Sequence, residues 1–421
     1  GQSPSPQRLD ETNVRLVRAE DMDPRDRFLK VIGFEEPDRA PLGFHSPGWE
    51  IRYNVFWKGA RWILPPDTPA DEYFGYDLWV KLPSGVFGPV PAFPHRILKE
   101  TDRYQVIVDG TGTTRKIFKD PSFLGGYAGM PQWLDFPVKT RDDFEEMKTR
   151  FDPYSHGRYG LHVFNNHRTS DSIVRKIQES CKDTDSPEAQ RELIRKVVDS
   201  ARVPVGLDVP GLFFQARNLM GLERLLVTFH RDPRFIEEIF DFWTDFVIET
   251  MKAAIDVRLD YVVLPEDMSY NKGSFISIKH FTEFFVPRYK RITQHLRSRG
   301  VQVIFVDSDG NCEQLISGWL EAGINGVFPL EVRAGMDAVE LRKEYGDELI
   351  LAGNIDKNAL AEGPKKIEEE VQLKLPSLLQ EGGYLISLDH GVPPNVSLQN
   401  YQHYLGLVRK ASQYPSRISY S

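Results

Sequence analysis

The chain has 421 residues, of which 40% are hydrophobic and 12% aromatic, enough for one large domain or two ordinary ones. Its formal net charge of −8 and the absence of basic runs argue against a nucleic-acid-binding protein. No apolar run reaches the ~18 residues of a membrane-spanning helix, and the polar N-terminus is not typical of a signal peptide. The two cysteines, Cys181 and Cys312, are far apart, which excludes a disulfide scaffold and a thiolate-rich zinc site. We therefore expect a cytoplasmic protein that contacts neither membranes nor nucleic acids.

The first half of the chain predicts an N-terminal arm followed by a domain with a β insertion. Residues 1–25 are polar and aperiodic and are predicted to form the arm, whereas residues 26–421 are predicted to form a single domain. The stretch from Asp23 to Asp26 is typical of a capped helix start. The pattern of residues 93–120 predicts a small antiparallel meander, which we interpret as an insertion into the domain.

Other elements of the first half are shorter or less regular. Residues 40–45 are predicted to form a short buried strand, and residues 75–80 either a second strand or the end of a helix. Helices are predicted for residues 141–150 and 185–201.

From residue 203 onwards, predicted strands and helices alternate regularly. The strands are residues 203–208, 261–267, 301–306, 326–329, 349–353 and 383–387. The helices that follow them are residues 222–258, 278–299, 313–322, 337–345, 364–381 and 398–410. Together with the two earlier candidates these strands make eight, which favours a (β/α)₈ TIM barrel over an open sheet. No Gly-x-Gly-x-x-Gly pattern follows a predicted strand, so we do not expect a dinucleotide-binding fold.

The strand that begins at Val301 runs directly into Asp307-Ser308-Asp309-Gly310. Carboxylates at the end of a buried strand are costly to desolvate unless they are paired, hydrogen-bonded or bound to a metal. In a parallel barrel this end of the strands carries the active site. Polar residues follow nearly every strand of the second half in the same way, namely Asp208, Glu266, Asp267, Asp307, Asp309, Glu331, Asn354, Asp356, Asp389 and His390.

Two interpretations of these residues remain open. Acidic residues at strand ends commonly cap the following helices. Alternatively, Asp307, Asp309 and His390 converge on one site, where they either bind a divalent metal through oxygen and nitrogen or perform acid–base chemistry. His45 is either a core histidine or a site residue, and Cys312 is interpreted as a buried structural cysteine.

Several motifs of the second half resemble the uroporphyrinogen decarboxylase superfamily. These motifs are Phe275-Ile276-Ser277, residues 281–285, Pro287-Arg288-Tyr289-Lys290, Gly353-Asn354-Ile355-Asp356-Lys357, Gly382-Gly383-Tyr384 and Asp389-His390-Gly391-Val392-Pro393-Pro394. The resemblance is good over residues 203–410 and weak before them. It implies a (β/α)₈ barrel and an enzyme that is either a decarboxylase or a cobalamin-dependent methyltransferase.

The departures from the family patterns concern the ligands and the charge of the site. Thiol-directed methyltransferases of this superfamily hold zinc with a His-x-Cys-Gly turn and a cysteine near the last strand. Here Asp307-Ser308-Asp309-Gly310 and His390-Gly391 stand at those places, which keeps potential ligands but disfavours a thiolate-activating zinc. The decarboxylase has an arginine-rich loop after its first strand, where this chain has His45 and only Arg52 as a base. The Asp389-His390-Gly391 element is more similar to the decarboxylase.

The leading hypothesis from the resemblance is a corrinoid-linked methyltransferase, which moves a methyl group between a small methylated substrate and cobalamin on a separate corrinoid protein. Asp307, Asp309 and His390 would bind a divalent metal such as zinc, and Asp309, His390 and Glu266 would be catalytic. The substrate would contact His45, Arg52, Asp267, Glu331, Asn354 and Asp356. The alternatives are a decarboxylase of a tetrapyrrole or smaller acid, and a non-catalytic barrel that binds a small molecule. The oligomeric state is open, with a homodimer as one candidate.

Overall fold

The structure is a computed structural model that describes residues 22–44, 51, 62–65, 68–82, 84–119, 131–158, 170–254 and 257–412. The strands in these ranges are β1 (Val80–Leu82), β2 (Arg96–Glu100), β3 (Tyr104–Val108), β4 (Thr114–Phe118), β5 (Gln132–Asp135), β6 (Val205–Asp208), β7 (Tyr261–Pro265), β8 (Ser269–Tyr270), β9 (Gly273–Ser274), β10 (Val303–Asp307), β11 (Gly326–Phe328), β12 (Ile350–Ile355) and β13 (Tyr384–Leu388).

In the second half of the chain helices alternate with these strands, and further helices lie in the first half. They are α1 (Pro24–Ile32), α2 (Ala70–Phe74), α3 (Arg141–Lys148), α4 (Asp171–Cys181), α5 (Pro187–Ser200), α6 (Leu212–Met220), α7 (Leu222–Arg231), α8 (Pro233–Ala254), α9 (Ile278–His280), α10 (Val286–Ser298), α11 (Ile316–Glu321), α12 (Ala338–Tyr345), α13 (Lys357–Glu362), α14 (Pro364–Glu381) and α15 (Leu398–Ser412). A π-helical turn, Phe281–Phe285, joins α9 to α10.

The parallel strands form the barrel that the alternating sequence pattern predicts. Seven of them lie in the order β1-β6-β7-β10-β11-β12-β13, and all neighbours are parallel. Leu42 occupies the eighth position, because it forms a parallel bridge to Ile386 of β13. The carbonyl of Leu42 also accepts the N–H of Asp77, 2.9 Å away, just before β1. This contact joins the first strand position to the second and confirms a (β/α)₈ barrel.

The barrel interior is a packed apolar core that α1 covers at one end. Phe28 and Val31 of α1 belong to the same cluster of buried residues as Tyr261, Phe305 and Leu385 of the strands. Helix α1 begins at the N-cap Asp23, whose side chain accepts the N–H of Asp26, as the sequence predicts. Because Asp260 at the start of β7 pairs with Arg25 at 3.0 Å, α1 covers the end where the strands begin. The opposite end, where the strands finish, carries the polar residues.

The β insertion after β1 is an antiparallel sheet of four strands in the order β2-β3-β4-β5. Strands β2 to β4 lie within residues 93–120 and confirm the predicted meander, whereas β5 lies beyond it. The sheet is connected to the barrel side near α6, since the N–H of Val138 donates to the carbonyl of Leu219 at 3.0 Å. That residues 26–421 form a single domain and residues 1–25 an arm stays a prediction.

Helix boundaries differ from the predicted ones in several places. The predicted helix 222–258 is interrupted at Asp232, whose φ of −145° ends α7 before α8 begins. Helices α4 and α6 are among those not predicted: α4 buries Ile173, Ile177 and Cys181 at helical spacing, and α6 is apolar over most of its length. Within the described part of the chain, no helix combines the length and the apolar character needed to cross a membrane.

Candidate functional site

Three carboxylates meet where β7 and β10 end. Asp267 lies two residues after β7, Asp307 is the last residue of β10, and Asp309 lies in the turn that follows. One oxygen of each carboxylate lies within 4.8 Å of an oxygen of the other two, and all three side chains are half-buried. Like charges at this separation repel each other unless a cation or a shared proton lies between them. We refer to these three residues as the acidic cluster.

Backbone hydrogen bonds hold the two loops of the acidic cluster together. The carbonyl of Asp307 accepts the N–H groups of Glu266 and Asp267 at 2.8 and 3.3 Å. Asp267 has a φ of 43°, in the left-handed region that residues other than glycine seldom adopt. Gly310 also has a positive φ, 82°, and a Cβ there would lie 2.7 Å from the backbone of Tyr270. The chain therefore accepts backbone strain to bring these carboxylates together.

The electrostatics of the cluster are dominated by burial and mutual repulsion. Burial raises the pKa of Asp267, and the neighbouring charge of Asp309 raises it further, whereas Arg217 lowers it. Arg217 donates to the carbonyl of Asp267 at 3.1 Å and to its carboxylate at 3.3 Å. The N–H of Asp309 lies 3.4 Å from the Asp267 carboxylate. Arg217 thus offsets part of the negative charge of the cluster.

His390 adds an imidazole to the acidic cluster. It follows β13, and its Nε2 atom lies 3.6 Å from Oδ2 of Asp309. The preceding residue, Asp389, is fully buried and accepts the backbone N–H groups of Val332 and Lys357 at 3.1 and 3.0 Å. These bonds fix the backbone from which His390 extends. Burial raises the pKa of Asp389, while the charge of Lys357 lowers it.

Glu331 lies beside the turn that carries Asp309. Its carboxylate accepts the N–H of Gly310 at 3.2 Å and lies 3.7 Å from the ammonium of Lys357. Lys357 also lies 3.5 Å from Asp389. The structure therefore places Asp267, Asp307, Asp309, Glu331 and His390 around one group of connected turns.

Glu266 is next to Asp267 in sequence but not in the acidic cluster. Its side chain is fully enclosed and accepts the N–H groups of Leu212, Phe213 and Phe214 at 2.8, 2.8 and 3.1 Å. The hydroxyl of Tyr289 donates to it as well. Burial raises the pKa of Glu266 to about 7, against the opposing effect of these four donors. The structure therefore places the Glu266 carboxyl group at the N-terminus of α6, enclosed and out of reach of a substrate in the cluster.

Asn354 and Asp356 have structural partners as well. The fully buried Asn354 donates to the carbonyls of Leu330 and Met336 and accepts the N–H of Ala338, so its amide joins β12 to the start of α12. Asp356 caps α13 by accepting the N–H of Asn358 at 2.8 Å. The capping interpretation fits Asp356, and the enclosure of Asn354 removes it from direct contact with a ligand.

We expect Asn354→Ala to lower the free energy of unfolding by about 2–5 kcal/mol, because three buried backbone groups lose their partners. The control is Asp356→Ala, which removes the N-cap of α13 and should lower the free energy of unfolding by about 0.5–2 kcal/mol. Urea unfolding of both variants measures the difference. An Asn354→Ala protein as stable as the wild type would show that this amide is not a structural link.

Several other predicted residues have a defined position or lie outside the described chain. His45 and Arg52 are outside the described residues. Cys312 is buried, and burial raises the pKa of its thiol to about 12, in keeping with a structural cysteine. Asp208 pairs with the enclosed Lys81 at 2.5 Å. The N–H of Glu313 is accepted by Asn311, not by Asp309, so the capping interpretation does not fit Asp309.

Arg217 is the site residue that sequence reasoning missed. It lies in the second turn of α6, the helix that follows β6, and its guanidinium reaches Asp267 from there. The available signal was a basic residue shortly after a barrel strand, in Gly211-Leu212-Phe213-Phe214-Gln215-Ala216-Arg217. Because α6 was not predicted, this signal could not be placed at the C-terminal face of the barrel.

Comparisons with known proteins identify the family. The family model described as uroporphyrinogen decarboxylase (URO-D) matches residues 162–411, and the chain belongs to this family. A uroporphyrinogen decarboxylase of Methylococcus capsulatus is 27% identical over 171 residues, which are 40% of this chain and 46% of the relative. The one of Idiomarina loihiensis is 25% identical over 186 residues, 43% of this chain and 49% of the relative. The chain thus matches about half the length of these curated relatives.

A solved structure shows the same fold over nearly the whole chain. A methyltransferase from Methanosarcina mazei superposes with a TM-score of 0.56 and 16% identity, and the match covers 92% of this chain and 98% of that protein. At this identity the likeness concerns the fold. The named relatives are enzymes of two types, decarboxylases and methyltransferases.

Proposed function

We propose that this protein is an enzyme that binds a divalent metal ion in the acidic cluster. We further propose that it transfers a methyl group between a small methylated substrate and a corrinoid on a separate protein. The observation that carries the proposal is the convergence of Asp267, Asp307 and Asp309 within 4.8 Å, with His390 beside them. A cluster of this kind at the C-terminal end of barrel strands has the composition of a metal site.

The donor set decides which metals fit. Three carboxylates favour cations that accept oxygen ligands, such as Mn²⁺ or Mg²⁺, and Zn²⁺ also accepts such ligands; the His390 imidazole lies beside them. A thiolate-bound zinc does not fit, because the cluster consists of carboxylates and the buried Cys312 is not part of it. A divalent cation would relieve the repulsion that raises the pKa of Asp267.

The residues around the cluster support a methyl transfer in defined ways. A bound metal would polarise the heteroatom that carries the methyl group. A corrinoid, when bound, supplies a cobalt atom that accepts or donates the methyl group. With the metal held by the three carboxylates, His390 beside Asp309 would give a proton to the heteroatom when the methyl group leaves and would take it back in the reverse direction. Glu331 and Lys357 keep the turn of Asp309 in place.

A decarboxylase is the second candidate function, because the curated relatives are uroporphyrinogen decarboxylases. His390 would then protonate the carbon that loses its carboxyl group. Uroporphyrinogen itself carries several carboxylates, and an acidic cluster repels such a substrate. We therefore expect little conversion of uroporphyrinogen to coproporphyrinogen by this protein. A direct assay with an enzyme-like rate would favour the second candidate.

The main test is metal binding followed by a corrinoid assay. Chelator-treated protein is incubated with Mn²⁺, Mg²⁺ or Zn²⁺, and elemental analysis is expected to find about one metal ion per chain. The metal-loaded protein is then mixed with reduced free cobalamin and small methyl ethers, methyl thioethers or methylamines, and the visible spectrum reports methylation. Protein that retains no metal contradicts the first step. Protein that retains metal but methylates no cobalamin and decarboxylates uroporphyrinogen contradicts the second.

A further inference from the structure

Arg217 is a cation in direct contact with the acidic cluster. Its Nη1 atom donates to the carbonyl of Asp267 at 3.1 Å, and its Nη2 atom donates to the carboxylate at 3.3 Å. The guanidinium carbon lies 5.0 Å from the centre of the Phe214 ring, which covers one of its faces. A quarter of the Arg217 side chain is exposed, so it is not fully enclosed beside the cluster.

The guanidinium of Arg217 has more N–H donors than its contacts with Asp267 use. Arginine carries five N–H donors, and the contacts with Asp267 use two of them. Among the described residues, these contacts with Asp267 are the hydrogen bonds that the guanidinium makes, and Nε–H takes part in neither. The Nε–H and the adjacent Nη2–H point in parallel along one edge, which is the arrangement that binds a carboxylate through two hydrogen bonds.

The backbone of α6, which carries this guanidinium, is anchored at both ends. At its start, three N–H groups bind the enclosed Glu266, and near its end the carbonyl of Leu219 accepts the N–H of Val138. Glu266 and Asp267 are consecutive, so one short segment binds both the backbone of α6 and the side chain of Arg217. An anion-binding edge in this position is organised before the ligand arrives.

The charges around the site also favour an anion once a metal is present. The three carboxylates and Arg217 together leave two negative charges, which a divalent cation would neutralise. In that state a ligand carboxylate would no longer meet a net negative site, and both the metal and the guanidinium would attract it.

We propose that Arg217 binds an anionic group of the substrate, a carboxylate close to the methylated heteroatom. This inference rests on the proposed metal site and methyl transfer. The substrate class is then small methylated acids. Their heteroatom would reach the metal, while their carboxylate would reach the Nε and Nη2 edge of Arg217. The carboxylate serves for recognition and stays on the substrate.

The experiment uses methoxyacetate as the probe and its neutral analogue methoxyacetamide as the matched control ligand. Both are titrated into the full chain loaded with Mn²⁺, and the broadening of the methoxy proton signal by the paramagnetic ion measures binding close to the metal. We expect methoxyacetate to bind at least about tenfold more tightly than the amide, since one charge-assisted hydrogen-bond pair accounts for this factor.

The variants separate recognition from structure. Arg217→Met should weaken methoxyacetate binding by about tenfold and leave methoxyacetamide unchanged, while Mn²⁺ binds at least as tightly because a positive charge is gone. Arg217→Lys should restore part of the preference for the acid. The control Arg224→Met removes an exposed arginine of α7 that donates to the carbonyl of Lys139, and it should bind both ligands like the wild type. Circular dichroism melts check that each variant is folded.

The outcomes distinguish this inference from the proposed function. Wild-type protein that binds Mn²⁺ but shows equal affinity for the acid and the amide would overturn the role of Arg217. The same holds if Arg217→Met keeps the wild-type preference. Failure to bind Mn²⁺ would contradict the metal site instead, and the same ligand pair followed by calorimetry without metal would then decide whether Arg217 recognises the carboxylate.

Discussion

Replacing Asp309 with asparagine is expected to abolish most activity while the metal-free protein keeps or gains thermal stability. The side chain of Asp309 belongs to the acidic cluster and lies 3.6 Å from His390. No described backbone N–H donates to its carboxylate, and Asn311 accepts the N–H of Glu313 that a cap would bind. The variant therefore loses a ligand or proton partner without losing a structural bond. We expect turnover to fall by ~10²-fold or more.

The pH dependence of stability provides a second measure of the same substitution. The folded-state pKa of Asp267 is raised, first by burial and then by the charge of Asp309. The contribution of Asp267 is therefore present below its unfolded-state pKa and is lost as the pH rises through the folded-state pKa. Asp309→Asn removes one cause of the shift, so the variant should lose less stability over this range. Thermal melts of both metal-free proteins at acid and neutral pH check this.

His390→Ala is the companion variant for activity, and Asp356→Asn is the control for helix capping. His390→Ala should lose activity without gaining stability, because it removes the imidazole that contacts Asp309 and relieves no repulsion between carboxylates. Asp356→Asn keeps a side chain that can cap α13 and should behave like the wild type in both measurements. A destabilised but fully active Asp309→Asn protein would contradict the assignment of Asp309 to the site.

The sequence predicts the barrel well because the physical signal is repeated. Each parallel strand is buried on both faces and appears as a short apolar run, and each is followed by a helical stretch. The turn Asp307-Ser308-Asp309-Gly310 stands out for a related reason, since carboxylates after an apolar run demand an explanation. The structure indeed brings Asp307, Asp309 and Asp267 together.

Which polar residues lie in the acidic cluster and which are enclosed structural residues could not be predicted from the sequence. Glu266 and Asp267 are adjacent acidic residues with the same pattern around them, yet one is enclosed under α6 and the other lies in the acidic cluster. The left-handed backbone of Asp267, with a φ of 43°, sets the direction of its side chain, and local sequence does not reveal this value. Asn354, with a φ of 68°, is a similar case. Such residues depend on partners that are distant in sequence.

Replacing Glu266 with glutamine is expected to be among the most destabilising substitutions in the chain. Both carboxylate oxygens act as acceptors, one for Leu212 and the other for Phe213 and Phe214, and Tyr289 adds a fourth donor. Glutamine keeps one acceptor oxygen and turns an N–H donor towards the other backbone donors. At least one buried N–H then loses its partner and faces a second donor. We expect a loss of about 2–5 kcal/mol in the free energy of unfolding.

The control for this substitution is Tyr289→Phe, which removes one donor and keeps the carboxylate and the ring. Tyr289 is fully enclosed, and its hydroxyl lowers the pKa of Glu266. The free energy of unfolding of this variant should be lower by about 1 kcal/mol. The pKa of Glu266 should rise further, because a donor to its carboxylate is gone. Comparison of the two variants separates the anchoring of the α6 backbone from the single bond to the hydroxyl.

The effect of Glu266→Gln should also depend on pH with a defined sign. Burial raises the pKa of Glu266 from 4.5 to about 7, so its contribution to wild-type stability is present below 4.5 and is lost as the pH rises through about 7. Glutamine does not titrate, so the stability gap between wild type and variant should narrow over this range. Denaturant unfolding at several pH values measures the gap. A stability difference that widens with pH would mean that the N-terminus of α6 keeps Glu266 ionised well below pH 7. In that case a permanent anion would anchor the helix that carries Arg217.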